Sequence, residues 1–461
     1  MKDMVLRQSD YILHFIGASV RKKERKMQYT KSIEIRYDVD VCVAGGGPSG
    51  VAAAVSAARK GAKVLLLEAQ GFFGGAGTAG LVPAFMPFDN GVDFLAEGIG
   101  REIYEKSRVD PEVIMDRTVG IQVERLKRIY DDMVQDAGVE FLFFATVIDV
   151  ICCEGRIDAV IVNTKSGIFA VKAEIFIDAT GDADLCAKAG APYELGDENG
   201  DTMPASLCSL WADVEWKKME IDHRAFLEQA FSDGVFSQED RHVPGFCRAG
   251  ATSGGANIGH VFHVDGTNDE DLTRGMITGR KILTEFQTFY NDYVKQGYTH
   301  AFPMVSASYL GIRESRRICG EYIMTVEDFC NRATFDDEIG RFSYPVDIHI
   351  ANPTKEDFEK FQKEHESMRY QDGESYGIPY RALLPLGLNN VLVAGRCISA
   401  DRQMLSSVRV MPACFITGQA AGMAAALCIE KGCQPKTLDT KLLQKSLKKA
   451  GAFLPNTKED E

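Results

Sequence analysis

The chain has 461 residues, of which 45% are hydrophobic and 26% are charged, and its formal net charge is −14. A chain of this length is expected to form about two or three domains. Its composition is typical of a globular protein, which excludes a chain that is disordered over most of its length. The acidic charge repels phosphate backbones, and the only basic run, residues 21–26, lies near the N-terminus. We therefore expect no nucleic-acid partner.

The 12 cysteines include no Cys-x-x-Cys pair. This excludes a zinc ribbon and cysteine ligation of an iron–sulfur cluster, and free thiols in a reducing compartment are the ordinary interpretation. No uninterrupted apolar stretch is long enough to cross a membrane, and residues 1–27 lack the order of regions of a secretory signal. We predict a cytoplasmic protein without a membrane span.

The first elements along the chain form a strand–turn–helix–strand unit. Residues 39–44 are an apolar, β-branched run that leads into three glycines, and small residues follow at helical density over 51–58. Gly61 stands where a glycine commonly follows a helix, and residues 63–68 are a second strand. Because both strands are hydrophobic almost without interruption, we expect a parallel sheet with helices on both faces.

The remaining predicted elements flank a central region whose composition differs from that of the rest of the chain. The pattern predicts strands over 141–153, 157–163, 169–177 and 390–394, and helices over 124–137, 411–427 and 436–450. The strand 141–153 is expected to be buried. Between about 196 and 379 the chain holds both tryptophans and all histidines except His14. We interpret this region as a second domain inserted into the first.

Residues 45–50 match the pattern G-x-G-x-x-G. In such a turn Gly45 permits the tight exit from the strand, Gly47 lets the backbone approach a pyrophosphate, and Gly50 lets the helix pack on the strand. Free N–H groups at the helix N-terminus attract phosphates, and Glu68 ends the second strand, where a carboxylate binds ribose hydroxyls. No Lys-Ser or Lys-Thr follows the glycines, which excludes a P-loop. The turn predicts dinucleotide binding.

This unit and four further segments resemble the FAD-dependent oxidoreductases with a glutathione-reductase-type fold, which are related to the succinate dehydrogenase and fumarate reductase flavoproteins. The further segments are 73–75, 177–184, 310–317, and 390–396 together with 407–426. The resemblance implies an α/β fold in which a Rossmann-like FAD-binding domain carries an inserted α+β substrate or cap domain. The implied divisions are an N-terminal extension (1–28), a discontinuous FAD-binding domain (29–84, 138–196 and 381–461), a helical excursion (85–137) and the cap domain (197–380).

The resemblance also implies how FAD is held. Pyrophosphate binding falls to Gly45, Gly47, Pro48, Ser49 and Gly50, ribose binding to Glu68, adenine binding to the backbone of Val147, and contacts along the ribityl chain and phosphates to Gly74, Gly75, Thr180, Gly181, Asp182, Gly395 and Arg396. Met411 starts a helix whose positive end stabilises negative charge on the flavin. No histidine lies between His14 and His223, so we expect non-covalent FAD.

Five residues are candidates for the chemistry. By resemblance, Arg409 points at the substrate side of the flavin and His349 lines the cleft. Arg313 has two interpretations: it grips an anionic or hydroxylated substrate, or it belongs to a charged surface or ion-pair network with its neighbours. His260 and His263 are candidate proton carriers. On a strand these two histidines point to opposite faces, so we expect no shared metal ion.

The favoured function is hydride transfer between a small organic substrate and FAD. Two alternatives stay open: a reductase supplied with electrons by NAD(P)H, and a flavin-binding interaction subunit without a substrate of its own. The middle of the chain has no second glycine-rich turn for a nicotinamide, and no Cys-x4-Cys pair of the disulfide reductases follows the first unit. The electron donor or acceptor is unidentified, and a homo-oligomer remains open.

Overall fold

The computed structural model describes residues 27, 30–108, 114–115, 117–218, 222–243, 245–350, 352, 354 and 368–457. Residues 35–461 form one compact unit, and residues 1–34 are a separate unit. Almost all of the predicted N-terminal extension lies outside the described residues. The proposed domain boundaries inside the compact unit stay a prediction.

The strands are short outside the central sheet. They are β1 (Ile35–Ala44), β2 (Val64–Leu67), β3 (Ala84–Phe85), β4 (Ile114–Met115), β5 (Thr118–Gly120), β6 (Glu140–Leu142), β7 (Thr146–Cys153), β8 (Arg156–Thr164), β9 (Gly167–Asp178), β10 (Tyr193–Glu194), β11 (Ser209–Ala212), β12 (Phe246–Arg248), β13 (Gly254–Ala256), β14 (Phe302–Ser306), β15 (Arg317–Ile318), β16 (Glu338–Phe342), β17 (Tyr376–Pro379) and β18 (Val391–Val393).

The α-helices are α1 (Pro48–Arg59), α2 (Ile99–Ser107), α3 (Val123–Asp136), α4 (Asp184–Lys188), α5 (Leu227–Ser232), α6 (Asp269–Thr288), α7 (Val326–Cys330), α8 (Arg402–Val408), α9 (Met411–Lys431) and α10 (Thr440–Lys449). Short 3-10 turns occur at Gly75–Gly77, Trp216–Lys218, His223–Phe226, Tyr380–Leu383 and Pro435–Thr437, and a π-helical segment, Phe289–Val294, continues α6.

The central sheet has the order β6-β2-β1-β9-β8-β7, and β18 also pairs with β9. β1 runs parallel to β2 and β9, and β18 runs parallel to β9, whereas β7 and β8 extend the sheet as an antiparallel hairpin. All four side chains of β2 are buried. The predicted parallel strand–helix–strand unit is therefore confirmed. The carboxyl ends of β1 and β9 meet at Ala44 and Asp178, beside the glycine turn.

The predicted single buried strand over 141–153 is wrong. The chain forms two strands there, β6 and β7, and Phe144 between them has φ 55°. β7 lies at the edge of the sheet, and Ile148 and Ile151 are 42% and 50% exposed. An apolar run shows that a strand is favoured, but it does not show whether that strand lies at the edge or in the centre of its sheet.

Helices α1 and α9 approach each other at backbone distance. A Cβ atom added at Gly418 would overlap the carbonyl oxygen of Ser49, and one added at Gly422 would overlap that of Ala53. Across the same contact the Ser56 hydroxyl donates to the carbonyl oxygen of Gln419 at 2.8 Å. The helix that starts at the glycine turn is thus held directly against the long C-terminal helix.

Helix α9 is long and apolar enough to cross a membrane by length and composition, with a mean hydropathy of 1.5, but 94% of that window is buried inside the protein. Its small residues match the close approach to α1. It is therefore packed as a core helix in this structure.

The middle of the chain forms a smaller antiparallel sheet in the order β12-β13-β11-β14. Aromatic side chains pack behind it, including Trp211 against Phe246 with ring centroids 5.1 Å apart. Isolated bridges join Ala205 to Val261 and Ser206 to Gly311. These bridges bring two loops, 257–260 and 310–313, next to each other, and both carry residues of the site described below.

The close approach of α1 and α9 generates a stability prediction. Gly422→Ala places a methyl group on the Ala53 carbonyl oxygen, so we expect the free energy of unfolding to fall by about 3 kcal/mol. Thermal unfolding measures this loss. Lys431→Ala is the matched control, because Lys431 lies at the exposed C-terminal end of the same helix and its ion pair with Glu430 is exposed. An unchanged melting temperature in Gly422→Ala would contradict the backbone contact.

Candidate functional site

The glycine turn is tightly packed at Gly45 and Gly50 and has open space at Gly47. Gly45 has φ 97°, and an added Cβ would lie 2.5 Å from the carbonyl oxygen of Ala179. At Gly50 an added Cβ would overlap the carbonyl oxygen of Gly45, whereas at Gly47 it would meet nothing within 4 Å. The spacing of these glycines therefore packs the turn against the sheet and leaves room in front of Gly47, as a bound pyrophosphate requires.

No side chain caps the N-terminus of α1. Gly47 is the N-cap, no side chain accepts a hydrogen bond there, and the first turn has no acidic residue. Pro48 occupies the first helical position, where a missing N–H costs nothing. The Ser49 hydroxyl donates to the Ala394 carbonyl oxygen at 3.2 Å and packs under Gly395. Free backbone N–H groups thus remain for an anion in front of the turn.

Glu68 is buried and holds the glycine turn through hydrogen bonds. Its carboxylate accepts from the backbone N–H of Gly46 at 2.8 Å and of Gln70 at 2.6 Å. Burial raises the pKa of Glu68, although these backbone bonds oppose the shift. The sequence did not single out Gly46, where an added Cβ would lie 2.7 Å from Phe73 and 2.9 Å from the Glu68 carboxylate.

Gly74 and Gly75, which were predicted to contact the ribityl chain, follow Glu68 in the sequence. Gly74 and Gly75 have φ 107° and 48°, in the left-handed region that favours glycine. The Gly74 N–H donates to the Gly46 carbonyl oxygen at 2.8 Å, and an added Cβ at Gly75 would lie 3.1 Å from the Gly47 Cα. The two glycine segments therefore face each other. Val147 pairs with Val162 in the edge hairpin, and its adenine contact stays a prediction.

The segment after β9 meets the segment after β18 through an ion pair. Arg396 Nη2 lies 2.7 Å from the Asp182 carboxylate, and its Nη1 donates to the Ser315 hydroxyl at 2.7 Å. Gly181 has φ 83° and lies beneath the Arg396 guanidinium. The Thr180 hydroxyl donates to Asp178 at 2.7 Å. The structure brings these predicted cofactor residues together and adds Ser315, which the sequence did not single out.

Arg409 stands at the predicted start of the C-terminal helix. Helix α9 begins at Met411 without a side-chain cap, and an added Cβ at Gly77 would lie 3.0 Å from the Met411 sulfur. Arg409 Nη2 donates to the Asp347 carbonyl oxygen at 3.0 Å and to its carboxylate at 3.2 Å. Its Nε is buried and has no partner within the described residues. The guanidinium is therefore only partly satisfied next to the glycine-rich segment.

Arg313 is buried among neutral acceptors. Its guanidinium donates to the Pro204 carbonyl oxygen at 2.8 Å, the Ser206 hydroxyl at 3.1 Å and the Asn257 amide oxygen at 3.2 Å. No carboxylate of the described chain forms an ion pair with it. Burial and the charge of Arg409 lower the pKa of Arg313 to about 10. The structure therefore buries a guanidinium group that forms no direct ion pair within the described residues, and Asp347 and Asp240 favour its charge only from a greater distance.

The neighbouring arginines behave differently. Arg316 pairs with Asp184 at 2.8 Å, and Arg317 pairs with Glu314 at 2.5 Å. Glu314 is fully buried and also accepts from Arg402 at 2.9 Å. The ion-pair interpretation therefore applies to Arg316 and Arg317, whereas Arg313 is set apart by its neutral partners.

The histidines form a cluster that only the tertiary structure reveals. His260 Nε2 lies 2.9 Å from His349 Nδ1, and the His242 ring lies 4.8 Å from both rings. His263 is exposed, has φ 55° and belongs to an irregular segment, so the predicted strand placement of the His260–His263 pair is wrong. The sequence offered no signal for His242, which is far from the other two along the chain.

Two carboxylates border this cluster. The Asp240 carboxylate lies 3.1 Å from His260 Nδ1, and the Asp347 carboxylate lies 3.5 Å from His349 Nε2. Burial lowers the pKa of His242, His260 and His349, so all three imidazoles are neutral near pH 7. Burial opposes ionisation of the two carboxyls, but hydrogen bonds from the facing ring and from backbone N–H groups lower the pKa of Asp240, and His349 together with Arg409 and Arg313 lowers that of Asp347.

Known proteins identify the family of this chain. A family model described as FAD dependent oxidoreductase matches residues 40–447. Thiamine thiazole synthase of Methanococcus aeolicus is 30% identical over 241 residues, which cover 49% of this chain and 80% of that protein. The enzyme of the same name from Methanococcus maripaludis (strain C6) is 33% identical over 208 residues, 42% of this chain and 74% of that protein.

Among solved structures, a geranylgeranyl bacteriochlorophyll reductase-like protein of Thermoplasma acidophilum is 14% identical with a TM-score of 0.44, and the match covers 90% of this chain and 84% of that one. The family match extends from β1 into α10 and includes every predicted cofactor residue from Gly45 to Met411. The chain therefore belongs to the FAD-dependent oxidoreductase family, and it is an enzyme whose cofactor is FAD.

Proposed function

We propose that this enzyme transfers a hydride between a small organic anion and non-covalently bound FAD. The observation that carries the proposal is the buried guanidinium of Arg313, whose hydrogen-bond partners in the described chain are neutral. A buried charge is stable only when it is paired, so an anion from outside the chain is the missing partner. FAD supplies the hydride chemistry when it is bound.

The cofactor side of the proposal rests on the turn and its surroundings. The open space before Gly47 and the uncapped start of α1 fit the pyrophosphate, and Glu68 keeps acceptor capacity for the ribose hydroxyls. Asp182 and Arg396 close the opposite side. We assign these elements to a glutathione-reductase-type domain, with residues 197–380 as a cap over the substrate.

The substrate side of the proposal joins Arg313 to Arg409. The charge of Arg409 disfavours the charged form of Arg313 and lowers its pKa. A carboxylate between them relieves this repulsion and accepts planar, paired hydrogen bonds from a guanidinium fork. Asp347 forms an ion pair with Arg409 and not with Arg313, although its charge also favours the charged form of Arg313. The pair therefore orients an anionic substrate and favours anions over neutral analogues.

The thiamine thiazole synthases share only about half of this chain, so their named activity does not account for the remainder.

The decisive experiment compares small 2-hydroxy acids with their amides as anaerobic reductants of the purified yellow protein. We expect the acids to bleach the flavin and the matched amides to fail, because an amide removes the charge and keeps the shape.

Equal bleaching by acids and amides would contradict the anion proposal. Bleaching by NADPH alone would support the nicotinamide-dependent reductase instead. A flavin that no metabolite bleaches, in a protein that copurifies with a partner, would support the interaction subunit.

Gly47→Val tests the cofactor turn. The added side chain occupies the open space where the pyrophosphate is proposed to lie, so we expect a folded protein with less than a tenth of the parent flavin. Absorbance after purification measures occupancy, and acid precipitation of the parent should release all of its flavin as FAD. Full occupancy in a soluble Gly47→Val protein, or flavin retained in the acid precipitate, would contradict the assignment.

Arg409→Lys tests the substrate side. Lysine keeps the charge but loses the planar fork, so we expect FAD to stay bound and turnover to fall about a hundredfold, equivalent to about 2–3 kcal/mol of transition-state stabilisation. Arg381→Lys is the control, since Arg381 forms a half-exposed ion pair with Asp337. If Arg409 only stabilises the fold, the Arg409→Lys variant will have a lower melting temperature than the parent and the same turnover rate per bound flavin.

A further inference from the structure

Three imidazoles from distant parts of the chain converge in the interior. One ring nitrogen from each of His242, His260 and His349 lies within 4.8 Å of the other two. His260 and His349 are 2% and 8% exposed, and His242 is half-buried. His242 precedes β12, His260 follows β13, and His349 lies in the irregular segment after β16. Their meeting is therefore a product of the tertiary fold.

Carboxylates orient two of the three rings. Asp240 accepts the backbone N–H of His260 at 3.0 Å and faces its Nδ1 at 3.1 Å. Asp347 faces Nε2 of His349 at 3.5 Å. If each imidazole directs its N–H toward its carboxylate, Nε2 of His260 and Nδ1 of His349 both present lone pairs. A carboxylate behind a histidine is the usual outer partner of a metal ligand, because it fixes the tautomer and the ring.

The two facing nitrogens lie 2.9 Å apart. Two lone pairs at this distance repel each other unless a cation or a proton lies between them. A proton there gives either a buried imidazolium close to the Arg313 guanidinium or a neutral His349 that carries its proton on Nδ1 and turns the bare Nε2 lone pair toward the Asp347 carboxylate. A metal ion instead accepts both lone pairs and lets both carboxylate contacts persist. The geometry thus favours a shared cation at this position.

We propose that His242, His260 and His349 bind one divalent transition-metal ion. Imidazole nitrogens suit zinc, iron, copper and nickel, and three histidines with an open position are the ligand set of a catalytic zinc site. Metal–nitrogen bonds of about 2.1 Å place tetrahedral ligands roughly 3.4 Å apart. The facing pair must therefore open by about half an ångström and His242, the more exposed ring, must move inward.

The ion replaces the proton-carrier role that the sequence predicted for His260, and it gives His349, which was predicted to line the cleft, a role as a ligand. Its open positions are available to a substrate oxygen, and an ion there polarises a hydroxyl or carbonyl group. This role rests on the proposed hydride transfer, whereas the binding site itself does not. Metal binding can therefore be measured without turnover.

The test uses the purified flavoprotein, stripped with EDTA, exchanged into buffer with zinc and desalted. We expect the parent to retain one zinc ion per chain by elemental analysis and His349→Ala to retain none. Asp240→Asn leaves the three ligands in place but weakens the support of His260, so its zinc affinity should fall about 10- to 100-fold. His263→Ala is the matched control, because His263 is exposed and three residues from His260.

Flavin occupancy and thermal unfolding report whether each variant is folded. A parent that retains no zinc overturns the proposal, whatever the variants do. Equal zinc content in the parent and a folded His349→Ala, or an unchanged zinc affinity in Asp240→Asn, overturns it too. A failure of the hydride proposal would appear in the bleaching experiment and would leave these zinc measurements unaffected.

Discussion

The close packing of α1 against α9 is the constraint on which the site depends. At Gly418 and Gly422 the backbone of α9 approaches the carbonyl groups of α1 so closely that no side chain fits between them. This contact sets the position of Met411 and Arg409 relative to the glycine turn, since the turn starts α1 and Arg409 directly precedes α9. A change in this packing would move the cofactor turn and the proposed substrate arginine relative to each other.

A second dependence is electrostatic and centres on Asp347. Its carboxylate lies between Arg409 and His349 and is held in the charged form by both. It joins the arginine side of the proposed substrate site to the histidine cluster. Asp240 and Asp347 face two of the three histidines and fix the orientation of those rings, and burial keeps the imidazoles uncharged. The region therefore brings the guanidinium groups of Arg313 and Arg409 close to neutral imidazoles.

The geometry of the glycine turn was largely predictable because its signals are local. The glycines, the strand before them and Glu68 lie within one strand–helix–strand unit, and each glycine answers a steric requirement that sequence spacing expresses. Gly46 was missed, although it belongs to the same turn, because its restriction comes from Phe73 and the Glu68 carboxylate. The edge position of β7 was also hidden, since hydrophobicity alone does not order the strands of a sheet.

The sequence by itself determined the class of fold, the dinucleotide turn and the start of the final helix, because short-range patterns of glycine, proline and apolar residues govern these features. Only the tertiary structure decided which charged and titratable groups meet. It separated Arg313 from its ion-paired neighbours, left His263 exposed outside the histidine cluster and brought His242 to His260 and His349. These contacts depend on loops whose paths are set by long-range packing. The pattern of residues near one position in the sequence therefore does not show which distant residues it contacts.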